Sequence, residues 1–137
     1  MIHRVRAIII EDNKLLTIKR VKKDLVYYVF PGGGVEKDED FESAMKRECK
    51  EELGVNIEIV NNFTSERFDI NNIEQLEHFY VCKIFSGELG TGDGPEYDEN
   101  SEYEGTHEIK WINVKDLLNY DLRPSNIVLK LIDYIKK

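Results

Sequence analysis

The chain of 137 residues is poor in cysteine, with two, in proline, with three, and in tryptophan, with one. Cys49 and Cys82 cannot build a disulfide framework, and neither belongs to a CxxC or Cys/His cluster. Both read as buried thiols, because free cysteine behaves as a small hydrophobe. His3, His78 and His107 are scattered and lack the ligand spacing of a structural zinc site. No repeat, low-complexity segment or Pro/Gly/Ser-rich linker interrupts the chain, so a single domain over residues 1–137 is expected. Long apolar runs are missing too. The longest near the N-terminus, residues 7–10 (AIII), is too short for a secretory h-region or a membrane span, which predicts a cytoplasmic protein with no membrane partner. Positive charge is outnumbered, 19 Lys and Arg against 27 Asp and Glu, for a net charge of −8. Binding a nucleic-acid polymer through its phosphates needs a basic patch, so no polymer partner is expected. An anionic small molecule stays compatible with this charge if cations bridge the two.

What is present describes a soluble globular protein, with 41% hydrophobic and 34% charged residues. Residues 4–10 (RVRAIII) and 15–21 (LLTIKRV) predict two strands around a turn at Glu11-Asp12-Asn13. Residues 27–30 predict a third, stopped by Pro31-Gly32-Gly33-Gly34. The clearest helix runs over 41–53, with Asp40 as N-cap and Glu42 in the first turn. Phe41, Ala44, Met45, Cys49 and Leu53 give it an apolar stripe, and Gly54 ends it. Strands return at 55–60, 76–85 and 108–113. A short helix at 114–119 and an amphipathic one near 125–136, opened by Pro124, complete the pattern. Strands with a central helix and terminal helices predict an α/β fold, a mixed sheet with helices packed on it. Residues 91–106 (TGDGPEYDENSEYEGT) form the long irregular stretch, of a length that often carries function. It lacks the D-x-[DN]-x-[DN]-G of a calcium-binding EF-hand.

Glu48, Glu51 and Glu52 share one helix face at i,i+3 and i,i+4 spacing, where like charges cost roughly 0.2–0.5 kcal/mol per pair. On a wheel of about 100° per residue they lie beside the apolar stripe, whereas Lys46 and Lys50 point away from it. Arg47 falls next to Glu51 and would balance part of the charge. Three oxygen donors at a partly enclosed edge suit a hard divalent cation such as magnesium. Gly32, Gly33 and Gly34, lacking side chains, let backbone groups approach a metal or phosphate closely. Taken alone, a GGG run is as readily a tight turn, and an acidic helix face is usually just solvated.

Jointly the two are far more specific. Residues 33–55 read G-x5-E-x7-R-E-C-x-E-E-x-G-V, with Gly33, Glu39, Arg47, Glu48, Glu51, Glu52 and Gly54 in register. At average residue usage, seven fixed positions match by chance on the order of 10⁻⁸ per start. The pattern resembles the Nudix box, and the chain resembles a compact bacterial, MutT-like Nudix hydrolase. One departure is Cys49, where that family usually places an aliphatic residue.

The resemblance implies a Nudix α/β/α sandwich and a metal-dependent hydrolase. Glutamates at the positions of Glu48, Glu51 and Glu52 would ligate Mg²⁺ or Mn²⁺, joined by the Gly33 carbonyl. Arg47 would orient the carboxylates and Glu39 would brace the loop–helix junction. The implied reaction is attack by metal-activated water on phosphorus in a diphosphate linkage of a nucleoside diphosphate derivative, a nucleoside triphosphate or oxidised nucleotide among them. The proton acceptor would be Glu48 or Glu52, or Glu102, Glu104 or Glu108 from the acidic stretch, with Glu108 and Glu104 favoured among the latter. Arg20 fits a phosphate-binding position of the family, or is a strand-end cation solvated or paired with Asp24. Arg4 and Arg6 alternate onto one strand face, to meet substrate or to mark a sheet edge. Tyr27, Tyr28, Phe30, Phe79, Tyr80 and Trp111 offer rings for a nucleobase, although core packing is the commoner role. Pro124-Ser125-Asn126 resembles the position from which nucleotide-sanitising members contact an oxidised purine, which makes Asn126 a substrate candidate. A homodimer, frequent in the family, stays open. Two rival readings remain: a Nudix-fold binding or regulatory module without catalysis, and a prenyl diphosphate isomerase, which would need a reactive cysteine outside the box.

Overall fold

A computed structural model describes residues 1–93 and 106–137. In chain order they form β1 (Ile2–Ile8), β2 (Ile10–Glu11), β3 (Lys14–Lys22), β4 (Leu25–Val29) and β5 (Gly32–Gly34). The helix α1 (Phe41–Leu53) and two long strands, β6 (Val55–Ile70) and β7 (Ile73–Gly87), follow. The chain closes with β8 (Glu108–Asn113), a 3₁₀ helix (Val114–Asn119), β9 (Leu122–Arg123) and α2 (Ser125–Ile135). The described residues group into two compact units, one of residues 1–9 and 31–93, the other of residues 10–30 and 106–137.

The first unit holds a mixed sheet in the order β5-β1-β7-β6. β1 runs parallel to β7 and antiparallel to β5, and β6 and β7 form an antiparallel hairpin. Asn71 and Asn72 turn this hairpin with φ of 51° and 65°, the positive values that a two-residue turn demands and that asparagine tolerates well. The sequence pattern assigned residues 55–60 and 76–85 to strands but left the segment between them open. Its tip is largely solvated, with Ile70 and Ile73 about half exposed, so no apolar alternation marks it.

α1 begins and ends where its caps dictate. Asp40 accepts a hydrogen bond from Ser43 N at 2.7 Å, and Gly54, at φ 81°, donates to the carbonyls of Cys49 and Lys50. Ala44, Met45, Cys49 and Leu53 are fully buried on the face turned to the sheet. Burial of Met45 and Leu53 stabilises that packing by about 2 kcal/mol each.

The second unit holds the order β2-β3-β4-β9, with β8 on β3 as well. β3 pairs antiparallel with β2, β4 and β8, while β4 and β9 are parallel. Asp12 and Asn13, again with positive φ, make the β2–β3 turn. Leu15, Leu16, Ile18, Ile112, Leu117 and Leu131 are buried, and the buried Thr17 hydroxyl donates to Lys110 O at 2.7 Å.

Three expectations need correction. The run at 4–10 is not one strand: residues 2–8 pair in the first sheet, Ile9 leaves the ladder, and Ile10–Glu11 pairs with β3. β4 does end before Pro31, as expected, but Gly32–Gly34 is itself a strand and not only a stop. It forms β5 against β1, where a Cβ on Gly32 would collide with Val5 O. Pro124 precedes α2 as its N-cap and makes no side-chain cap bond, since α2 starts at Ser125. No helix among the described residues is long and apolar enough to cross a membrane.

Candidate active site

The first unit gathers the residues of the 33–55 motif around one guanidinium. Arg47 Nε and Nη2 donate to the two oxygens of Glu39 at 2.8 and 2.9 Å. Nη2 also donates to Gly34 O at 2.9 Å, and Nη1 donates to Glu48 at 3.0 Å and to Glu51 at 3.1 Å. A guanidinium has five N–H donors, and Arg47 uses all five. The bonds to Glu39 raise the Arg47 pKa, and the same pairing holds the Glu39 carboxyl below its usual range against the opposing effect of burial.

Glu39 also accepts from Glu36 N at 3.0 Å, and Glu39 N donates to Glu36 O at 3.1 Å. The loop between β5 and α1 is thus pinned at its far end, one residue before the N-cap. The start of β5 is held by Glu52, which is 6% exposed and accepts from Gly32 N at 2.9 Å. Glu48 lies against the backbone of Gly33, where an added Cβ would stand 2.5 Å from its carboxyl carbon. Gly33 is therefore the one residue type that leaves room for this carboxylate. Gly34, in contrast, has open space where a Cβ would go.

The three helix glutamates do not converge on one point in this arrangement. Glu48 and Glu51 flank Arg47 Nη1, whereas Glu52 turns to Gly32. Among the described residues, no group of three or more His, Cys, Asp or Glu side chains is placed to hold a metal ion. The donor chemistry nonetheless fits a hard divalent cation. All the donors are oxygens, and four carboxylates against one guanidinium leave a formal excess of three negative charges. Arg47 bridges two of them, Glu48 and Glu51, through Nη1. Glu48, at 13% side-chain exposure, is mostly buried, and Glu51, at 33%, opens the cluster to solvent.

The other expected site residues are dispersed. Arg4 and Arg6 lie on β1, which is bordered on both sides by β5 and β7, so the sheet-edge reading is corrected. Arg6 Nε pairs with Glu77 at 3.1 Å, with both side chains mostly buried. Arg20 sits in the second unit and donates from Nε to Thr106 O at 3.0 Å. Glu108 opens β8, exposed and in register with Lys19. Asn126 is exposed in the first turn of α2. Glu102 and Glu104 lie outside the described residues. Cys82, the thiol an isomerase would recruit, is buried, and burial pushes its pKa up to about 12, which leaves no thiolate for chemistry.

Two clusters escaped the sequence pattern. His78 stacks on Phe41 at 4.1 Å, and its ring nitrogens lie 3.1 Å from His3 Nδ1 and 2.8 Å from Ser65 Oγ. The Arg123 guanidinium lies 4.4 Å over the Tyr27 ring and is bonded twice to Asp121. Residues so far apart in the chain give no local signal, and only strand register brings them together.

Comparison with known proteins places this geometry. The chain is 27% identical over 131 residues to the CTP pyrophosphohydrolase of Escherichia coli K12, covering 94% of this chain and 88% of that protein. It is 28% identical over 124 residues to the 8-oxo-dGTP diphosphatase of Buchnera aphidicola, covering 89% and 85%. The crystal structure of a MutT NUDIX hydrolase from Burkholderia pseudomallei superposes with a TM-score of 0.72 at 26% identity, covering 93% of this chain and 95% of that one. The NUDIX domain family itself matches residues 1–130, which include the whole of the Arg47 cluster, and the chain belongs to that family.

Proposed function

We propose that the protein hydrolyses a phosphoanhydride bond in a nucleoside diphosphate derivative, such as a nucleoside triphosphate, with a divalent metal. Its relatives support the class, being named as CTP pyrophosphohydrolase and 8-oxo-dGTP diphosphatase. The match over residues 1–130 supports reading both units as parts of one functional domain. The observation that carries the reading is the Arg47 cluster, an all-oxygen acidic site held on a helix and a glycine strand by bonds already in place.

Glu48, Glu51 and Glu52, with the Gly33 carbonyl, are the residues we assign to Mg²⁺ or Mn²⁺. When bound, such an ion lowers the pKa of a coordinated water and offsets charge on the phosphates. The chain's own part is orientation and proton handling. Arg47 keeps Glu48 and Glu51 a fixed distance apart, while Glu39 keeps Arg47 from swinging into solvent. Hydrolysis adds a water oxygen to phosphorus and releases a proton, which a carboxylate must take. Glu48 and Glu52 are in the cluster for this role. Glu108, exposed on β8, and Glu104 are the alternatives outside it. Arg4, Arg6, Arg20 and Asn126 are the proposed substrate contacts.

The test is a panel of nucleoside triphosphates and sugar nucleotides with Mg²⁺, with products identified by mass. Release of a nucleoside monophosphate from any of them, abolished by EDTA and restored by Mg²⁺, is expected. Turnover that is indifferent to EDTA would overturn the metal assignment, and no turnover of any compound would overturn the reaction.

A further inference from the structure

Three strands of the second unit carry a row of cationic and aromatic side chains on one face. Arg20 on β3 and Tyr27 on β4 are cross-strand partners. Arg123 on β9 is in register with Val29, two residues from Tyr27 and hence on the same face. The 4.4 Å approach of its guanidinium to the Tyr27 ring confirms the placement. Asp121 holds that guanidinium through two bonds, from Nε at 3.1 Å and Nη2 at 2.9 Å, and so fixes its plane. The pair remains open outward, with side-chain exposures of 46% for Arg123 and 49% for Asp121.

A single exposed ion pair contributes little to stability. This one has a further property: a bidentate guanidinium–carboxylate pair is flat and hydrogen-bonded along its edge, and an aromatic ring backs it. A planar cation of this kind stacks on aromatic faces, including those of nucleobases. We infer that Arg123, clamped by Asp121 and backed by Tyr27, is a stacking platform for the nucleobase of the substrate, with Arg20 on the same face for its phosphate. Arg20 and Arg123 lie two strands and two residues apart, about 12 Å between backbones, and their long side chains narrow this toward the reach from a base to its own 5′-phosphate. Stacking reads a π-face and not an edge, so the platform selects nucleosides over non-aromatic diphosphates without choosing one base. The inference rests on the nucleotide hydrolase reading and names the part of the molecule that meets the base.

The test is equilibrium binding, without metal, of GMP, CMP and ribose 5-phosphate to the full chain. The wild type is expected to bind both nucleotides more tightly than ribose 5-phosphate. Arg123→Ala is expected to weaken nucleotide binding about 5- to 150-fold, the range for loss of one stacked base, and ribose 5-phosphate far less. Arg123→Lys keeps the charge but not the plane and is expected to fail like the alanine variant. The urea midpoints of both variants are expected to match wild type, since an exposed ion pair contributes little to stability, and this controls for folding. In steady state with a nucleoside triphosphate, the loss should fall on KM, with kcat within about 2-fold of wild type. Full rescue by lysine, or an unchanged gap between nucleotide and ribose 5-phosphate in Arg123→Ala, overturns the platform while turnover leaves the hydrolase reading intact. Arg123-dependent nucleotide binding by a chain that turns over nothing overturns the hydrolase reading and leaves the platform standing.

Discussion

Along β5 and α1, Arg47 reaches partners no more than 13 residues away in the chain. Across β3, β4, β8 and β9 the connections are of another kind: the bond from Arg20 to Thr106 spans 86 residues. The first region is one helix face and one glycine strand, so its geometry follows from 3.6-residue periodicity and two caps. The second exists only after strands distant in sequence have found their register. In the proposed function, the chemistry common to many substrates belongs to the local region. Recognition, which must differ, belongs to the nonlocal one, where one changed register or loop alters the contacts.

The largest expected effect tests the local region directly. Glu51→Gln and Glu52→Gln keep shape and one acceptor oxygen, so Gly32 N retains its partner in the second variant. Each is expected to lower kcat by about 10²-fold or more with Mg²⁺, since a charge on the cluster is lost. Activity within 2-fold of wild type, in protein with an unchanged melting temperature, would remove that glutamate from the mechanism.

Arg47→Ala comes next and is read in stability. It removes five hydrogen bonds and leaves Glu39, Glu48 and Glu51 to repel one another. A loss of about 2 kcal/mol is expected by urea unfolding in EDTA. Magnesium should restore more stability to the variant than it adds to wild type, because it supplies the missing positive charge. Equal gains would mean that the ion does not offset the charge that Arg47 leaves behind.

A glycine pair sharpens the contrast further. Gly33→Ala places a methyl within 2.5 Å of the Glu48 carboxylate, whereas a Cβ at Gly34 meets nothing within 4 Å. The first should cost about 1 kcal/mol and about 10-fold in kcat, as Glu48 moves aside, and the second less than about 0.5 kcal/mol. Equal behaviour of the two would show that Glu48 has room to spare.

How much could be read in advance follows the same division. Asp40, Gly54 and the buried stripe gave α1 its bounds, because each acts within a turn or two of itself. β8 was legible at 108–113 for its alternation. Residues 61–75 were not, because the hairpin tip is solvated on both faces and its hydrogen bonds, not its burial, make it a strand. The glycines were legible in part, since β4 does end before them. A GGG run reads as a stop when only torsional freedom is considered, but here the missing side chains let β5 lie close on β1. Helix spacing placed Arg47 beside the three glutamates, whereas Glu39 came only with the resemblance to the Nudix box. The stacking of Arg123 on Tyr27 depends on a parallel pairing of β4 with a two-residue strand, for which no local pattern exists.

The smallest effect concerns His107, which stands at the nonlocal end beside Arg20. Burial first, and then the positive charge of Arg20, lower its pKa from 6.5 to about 4. The folded state therefore holds this imidazole neutral over a range in which the unfolded chain protonates it. With more protons bound when unfolded, stability contributed by the neutral ring is complete above pH 6.5. It is lost as pH falls towards about 4, and the slope ends there. His107→Gln removes the titration, so its urea midpoint should fall less than that of wild type between pH 7 and pH 4.5, at equal m-values. The magnitude is modest because the ring is only partly enclosed, and solvent screens what burial imposes. Coupling to Arg20 supplies the sharper readout. In Arg20→Gln the remaining shift comes from burial alone, so the His107 titration followed by NMR should move upward from about 4. An unmoved titration would mean that the two strands are not as close at this end as their register requires.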